Sequence, residues 1–504
     1  MPRPPYDPAH RPPPLTTATL PAYAGRVRVP GYDRSALTPA IVHIGVGGFH
    51  RAHQALYLDE LASRGDSDWG VIGVGLRSPD MKEALEPQDG LYTVVERAED
   101  GDDARIVGAL LAVLFAPEDP EAVLSALADE RTRIVTLTVT GAGYHVDAET
   151  GQLADDDEVR ADLAHPGRPR TALGYLAEAL DRRRRAGTAP FTVLSCDNVP
   201  DNGATARTAL VGFARRRDPA LAAWIDREVA FPSTMVDRIT PETTDEAHEL
   251  IAGTFGVADR WPVVTEAFSQ WIVADRFCNG RPPLERVGVQ FVDDVEPYER
   301  MKKRLLNGSH SALGYVGYLL GHRDTAGAMA DPLVRSYIEH LMGDEIAPLL
   351  PPVPGVDLAE YRATLIARFS NPKVGDQLAR LCGRGSTKVP AYLLPSIVEA
   401  RRQGRPHELL NLAVAAWVRY LRGVDLEGRE IPIKDARLDE LQPLAREGGD
   451  DPQPLMAESR VFGWLADDPL LVGSVARALA AFERDGLRAT VEAYLTAGVG
   501  SVAT

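Results

Sequence analysis

The stretch that most limits what this chain can fold into lies at residues 40–64. Ala40-Ile41-Val42-His43-Ile44 is a short apolar run of buried-strand type, Gly45-Val46-Gly47-Gly48-Phe49-His50 follows at once, and residues 51–64 are helix-like. Strand, glycine turn and helix in this order make the phosphate-binding corner of a doubly wound α/β fold, because glycines let backbone approach a pyrophosphate and a helix start offers unpaired N–H groups. Ile44, Gly45, Val46, Gly47, Gly48, Phe49, His50 and Arg51 are therefore the expected dinucleotide cradle. The fingerprint is incomplete: His50 stands where the third glycine of G-x-G-x-x-G falls.

Residues 69–76 predict a second strand, with Asp80 just beyond it. An acid there accepts hydrogen bonds from the adenosine ribose and disfavours a 2′-phosphate, whereas an arginine just past this strand, as Arg77 is, favours one. NAD is the expected coenzyme, with NADP less favoured. Further strands are predicted at 91–96, 134–140 and 191–196, alternating with helical stretches such as 170–185, which indicates a mainly parallel sheet. Ligands of such sheets sit beyond the carboxyl ends of the strands, where Asn198 falls.

After a last strand at 287–292 the pattern turns helical: 312–320, 333–342, 357–369, 389–402, 408–421 and two helices after 470. The expected organisation is a proline-rich flexible arm at 1–38, a Rossmann-like coenzyme domain at 39–290 and a mainly α-helical substrate domain at 291–504, with the active site in the cleft between the domains. Residues 298–310 predict a helix that opens the second domain. With Lys302 at zero and about 100° per residue, Glu299 falls near 60°, His310 near 80° and Asn307 near 140°. A base, a carboxylate, an imidazole and an amide share one face, although Lys303 lies on it too.

Composition removes several classes of function. A net charge of −17 over 504 residues disfavours a nucleic-acid surface, and the run Arg182 to Arg185 has the look of a helix end. Three scattered cysteines argue against a disulfide framework and against paired-cysteine zinc sites. The N-terminus, with its prolines and no apolar core, is expected to be neither signal peptide nor anchor. A cytoplasmic enzyme is expected, with no membrane or nucleic-acid partner, and the two-domain layout needs no second subunit, so a monomer.

Four blocks resemble the polyol-specific long-chain dehydrogenase/reductase family: residues 45–54, Ser195-Cys196-Asp197-Asn198, Lys302 with Asn307-Gly308-Ser309-His310, and Asn371-Pro372 through Gly385-Ser386 to Lys388 and Pro390. The resemblance implies that Lys302 rather than Lys303 is the catalytic base, that Asn198 and Asn307 hydrogen-bond the reacting oxygen, that His310 is an active-site histidine, and that Glu299 links the lysine to bulk water. It also implies substrate contacts from Arg380, Lys388 and Asp237, and no metal. Two departures stand out: Arg384 replaces an acidic residue common before Gly385-Ser386, and Pro79 precedes Asp80 where a second acid is usual.

The implied reaction is NAD-dependent oxidation of a polyol to a ketose and its reverse, D-mannitol to D-fructose first, with D-arabinitol, D-sorbitol or a hexuronate such as fructuronate as alternatives. Chemistry agrees with this, because hydride leaves a secondary alcohol only as its hydroxyl proton is taken, and a desolvated lysine is a competent base. Other readings are weaker. Tyr298 and Lys302 form a Y-x-x-x-K pair, but far downstream of the glycine turn; His50 and His53 are too few for zinc; Cys196 fits a buried strand end; and a sensor that merely binds nucleotide would not need the whole polar set.

Overall fold

The structure, a computed structural model, describes residues 12–147 and 150–496. The chain divides into two compact units, Met1–Val295 and Glu296–Thr504.

Among the described residues, the first unit has eleven strands: β1 Ile41–Ile44, β2 Val71–Gly75, β3 Tyr92–Ala98, β4 Gly101–Val107, β5 Leu110–Phe115, β6 Ile134–Leu137, β7 Thr192–Ser195, β8 Thr234–Asp237, β9 Val263–Glu266, β10 Gln270–Ala274 and β11 Gln290–Val292. Five of them form a parallel sheet in the order β5-β2-β1-β6-β7. In register, Ile41 stands beside Val71 on one side and Ile134 on the other. The chain runs outward from β1 in one direction and then in the other, so the order switches beside β1, and a crevice opens at the carboxyl ends there. Both faces are covered, one by the apolar side of helix Ala172–Ala186, the other by helix Gln54–Ser63.

Three local expectations are corrected. The strand expected at 91–96 exists as β3, but it lies in a separate sheet with β4 and β9, and the main sheet's edge is β5. The chain turns at Gly90, whose φ of +76° and a virtual Cβ 2.4 Å from the Leu110 carbonyl oxygen require glycine. The helix expected across 51–64 breaks at His53, with φ −125° and ψ −89°, into Gly48–Ala52 and Gln54–Ser63. Residues 12–38, expected within a flexible arm, are packed: Leu15, Tyr23 and Val27 are buried against Ile106 and Phe255. Residues 1–11 lie outside the described ones.

The second unit is helical, including Ser309–Leu319, Pro332–His340, Leu358–Phe369, Leu394–Arg402, Glu408–Leu421, Pro469–Asp485 and Leu487–Thr496. Helix Glu408–Leu421 is buried along its length from Leu409, and its first N–H groups, Leu409 and Leu410, are taken by the buried Glu345 carboxylate at 2.8 Å each. Among the described residues, no helix is long and apolar enough to cross a membrane.

Candidate active site

In the first unit, a cleft of about 330 Å3 opens at the carboxyl ends of β1, β2 and β6, lined by Gly45, Val46, Gly47, Arg77, Asp80 and Thr138 among others. Gly45 has φ +101°, and a Cβ on it would stand 2.2 Å from the Thr138 carbonyl oxygen, so only glycine fits this turn. Beneath the turn is a buried polar pillar. His43 Nδ1 is 2.8 Å from Thr136 Oγ1, its Nε2 is 2.9 Å from Thr138 Oγ1 and 3.2 Å from the Gly45 oxygen, and Thr138 Oγ1 donates to that same oxygen at 2.7 Å. Burial pushes the His43 imidazole down to about 3, so it works here as a neutral hydrogen-bonding group.

The expected cradle residues divide by placement. Gly45, Val46, Gly47 and Asp80 line the cleft. Ile44 is buried in β1, and Gly48 begins the short helix. Phe49 stacks on His53 at 5.0 Å between ring centroids. His50, in the place of the third glycine, is buried and stacks on His43 with centroids 3.4 Å apart, both its ring nitrogens lacking a hydrogen-bond partner. Arg51 is buried, bonded to the Trp261 carbonyl and set over the Tyr92 ring at 5.3 Å.

Asn198 follows β7 and is exposed. Its neighbour Asp197 fixes the local backbone: Oδ1 accepts from Thr140 N at 2.8 Å, and Oδ2 from Val139 N at 3.0 Å and the Tyr144 hydroxyl at 2.7 Å. Cys196 is buried and its thiol is pushed up by desolvation, which makes it packing rather than a nucleophile. Asp237 ends β8 and is buried beside Arg238, whose guanidinium bonds the Glu266 and Ala52 carbonyls and the Glu96 carboxylate.

In the second unit, helix Glu296–Met301 continues through a π-helical segment, Lys302–Gly308, into Ser309–Leu319. Lys302 is only 7% exposed. Lys303 forms an ion pair with Glu299 across one turn and is the more open of the two lysines. Buried and without hydrogen-bond partners are Asn307 Nδ2 and His310 Nε2. The His310 ring lies 4.2 Å from that of Phe369. Burial holds its imidazole well below the ordinary range, and the positive charges of Arg380, Arg368, Lys388 and Lys302 push the same way. A neutral imidazole thus stands near two guanidinium groups and two lysines. The Tyr298 hydroxyl donates to the Pro354 carbonyl at 2.7 Å, which removes it from a Y-x-x-x-K role.

Arg380 is held by Asp376 through two bonds of 2.6 and 2.5 Å. Lys388 donates to the Leu381 and Arg380 carbonyls at 2.8 and 3.2 Å, and burial, reinforced by Arg380 and Arg384, lowers its ammonium to about 8. At the turn where Arg384 replaces the usual acid, Asp435 supplies a carboxylate from elsewhere in the chain, accepting from Ser386 N at 2.8 Å and Oγ at 2.5 Å. Neither Asp435, in a loop, nor Arg368, in helix Leu358–Phe369, carries a local sequence signal, since each meets its partner from a segment distant in sequence.

The Mannitol dehydrogenase Rossmann domain family matches residues 39–286, and the Mannitol dehydrogenase C-terminal domain family matches residues 294–483. A mannitol 2-dehydrogenase of Phaeosphaeria nodorum is 46% identical over 476 residues, 93% of this chain and 83% of its own. The solved structure of Pseudomonas fluorescens mannitol 2-dehydrogenase in ternary complex with NAD and D-mannitol superposes with a TM-score of 0.88 at 42% identity, covering 96% of this chain and 99% of that one. A substrate-free D-sorbitol dehydrogenase structure gives a TM-score of 0.87 at 36% identity over 95% of this chain and 100% of its own. Matched by both domain families and by relatives over nearly its whole length, the chain belongs to the mannitol dehydrogenase family.

Proposed function

We propose that this chain is an NAD-dependent polyol dehydrogenase that interconverts D-mannitol and D-fructose, with Lys302 as its general base and no metal ion in the chemistry. The observation that carries this reading is the buried Lys302 on one continuous helix with Asn307 and His310, both of which keep a buried polar nitrogen without a partner. Such atoms are costly to leave unpaired in a resting protein and suit a polar ligand. The similar Pseudomonas fluorescens enzyme, in its ternary complex with NAD and D-mannitol, suggests the ligand pair.

The first unit's cleft fits the coenzyme: Gly45 admits close approach of backbone, and Asp80 lines the cleft beyond β2, where an acid meets the ribose. NAD, when bound, accepts the hydride. Lys302, only 7% exposed, takes the hydroxyl proton at Nζ, the role of a desolvated lysine base. Asn198 and Asn307 donate to the developing alkoxide. Neutral His310 orients a substrate hydroxyl, Glu299 passes the released proton to solvent, and Arg380, Lys388 and Asp237 hold the remaining hydroxyls. The proposal extends to a monomer working in the cytoplasm, in keeping with the three free cysteines.

The test is the initial rate of NADH formation with D-mannitol, D-arabinitol and D-sorbitol in chelating buffer, and of NADH consumption with fructuronate. Mannitol turnover that exceeds the others and survives chelation supports the reading. Fructuronate reduction without polyol oxidation, or loss of activity to the chelator, contradicts it.

A further inference from the structure

Just past β2 the chain carries both kinds of residue that read the 2′ position of an adenosine ribose. Asp80 and Arg77 line the same cleft. An acid there accepts from a 2′-hydroxyl, and an arginine holds a 2′-phosphate. The Arg77 guanidinium is already engaged: Nη1 donates to Glu158 Oε1 at 3.0 Å and Nη2 to Oε2 at 3.1 Å, the parallel two-bond pairing of arginine with a carboxylate.

Glu158 stands in the first turn of helix Asp157–Ala164, and that helix is fixed at both ends. Asp156 caps it by accepting from Val159 N at 2.9 Å and reaches His145 Nδ1 at 2.6 Å. Asp162 accepts from Arg170 N, Thr171 N and Thr171 Oγ1 at 2.8, 2.8 and 2.6 Å. Glu158 borders a neighbouring cavity of about 920 Å3 that Arg77 also lines, so the pair sits on the wall between that cavity and the coenzyme cleft.

We propose that Glu158 sets coenzyme choice by holding the Arg77 guanidinium, which makes it a positioning residue for selection of NAD over NADP. A 2′-phosphate arriving at Arg77 has to displace a carboxylate that satisfies both terminal nitrogens, while Asp80 repels it. Stability does not explain the pair: the side chains are 76% and 42% exposed, and exposed ion pairs contribute little to folding. The inference rests on the reading that NAD occupies this cleft.

The experiment titrates the full chain with NADH and with NADPH, following nicotinamide fluorescence, for wild type, Glu158→Gln, Arg77→Ala and the double variant. Glu158→Gln is expected to tighten NADPH relative to NADH by about fivefold, the upper worth of an exposed ion pair. The double variant is expected to lose that gain, because it runs through Arg77. An NADPH-to-NADH ratio within about twofold of wild type, the scale of a screened surface charge, overturns the proposal. So does a gain that survives Arg77→Ala. If wild type binds neither nucleotide, the coenzyme reading fails and takes the inference with it; NADH binding with an unmoved ratio sinks the inference alone.

Discussion

Lys302 opens a π-helical segment, Lys302–Gly308, whose backbone hydrogen bonds span five residues, and Asn307 lies five residues along it. In an α-helix the same two residues would be separated by about 140° around the axis. The wider winding brings the lysine and the amide toward one side of a single rigid element. Gly308, next in sequence, is where the widened segment packs: a Cβ there would stand 3.2 Å from the Tyr392 carbonyl oxygen.

If Lys302 is the base, Lys302→Ala lowers kcat by about 10²- to 10⁴-fold, the usual share of general base catalysis. Lys303→Ala, which removes a partner of Glu299 at a more open position, lowers it less than about tenfold. Steady-state kinetics of the two variants separates the lysines.

Asn307 Nδ2 lacks a partner in the folded chain, and the proposed mechanism gives its hydrogen bond to the substrate oxygen. Asn307→Ala is expected to cost about 2.7 to 4 kcal/mol in kcat/KM, the measured worth of one oxyanion donor, and Asn198→Ala a similar amount. Thermal unfolding of Asn307→Ala should change little, because no internal bond of Nδ2 is lost.

Gly45→Ala forces an L side chain into φ +101° against the Thr138 carbonyl oxygen. Strain of about 1–3 kcal/mol is expected. It should appear as a lower Tm and weaker NADH binding together. A variant with wild-type NADH affinity would mean that the turn does not carry the coenzyme.

Lys388 is lowered from 10.5 to about 8, chiefly by burial. Between those two values the unfolded chain binds the proton that the folded chain has released, so stability rises with pH across that window. Lys388→Met should flatten that part of the pH profile in chemical denaturation. An unchanged slope would place the Lys388 ammonium in solvent.

Much of this was legible in the sequence because the signals are local. The run from Ala40 to Gly47 announces a strand and a glycine turn, and Gly45 and Asp80 line the expected cleft. Helix periodicity placed Leu358–Phe369 and Glu408–Leu421 to within a residue. What stayed hidden depends on tertiary partners. Nothing in the alternation of β3 says that it pairs with β4 and β9 while β5 takes the edge of the main sheet. His50 breaks the fingerprint, and only the stack on His43 shows why a ring is tolerated there: it turns under the glycine loop. A 100° wheel has no means of announcing the π-helical segment at Lys302–Gly308. Asp435 at the Ser386 turn, Arg368 beside His310 and Glu158 on Arg77 are meetings of residues too far apart in sequence for any motif to record.

The most direct measurement is the pH dependence of kcat/KM for D-mannitol with NAD in chelating buffer, for wild type and Lys302→Ala, with and without added primary amine. Expected is wild-type activity that rises with pH through one ionisation, loses about 10²-fold or more in Lys302→Ala together with that ionisation, and returns in part with the amine. A Lys302→Ala variant that keeps both its rate and its pH profile would contradict Lys302 as the base.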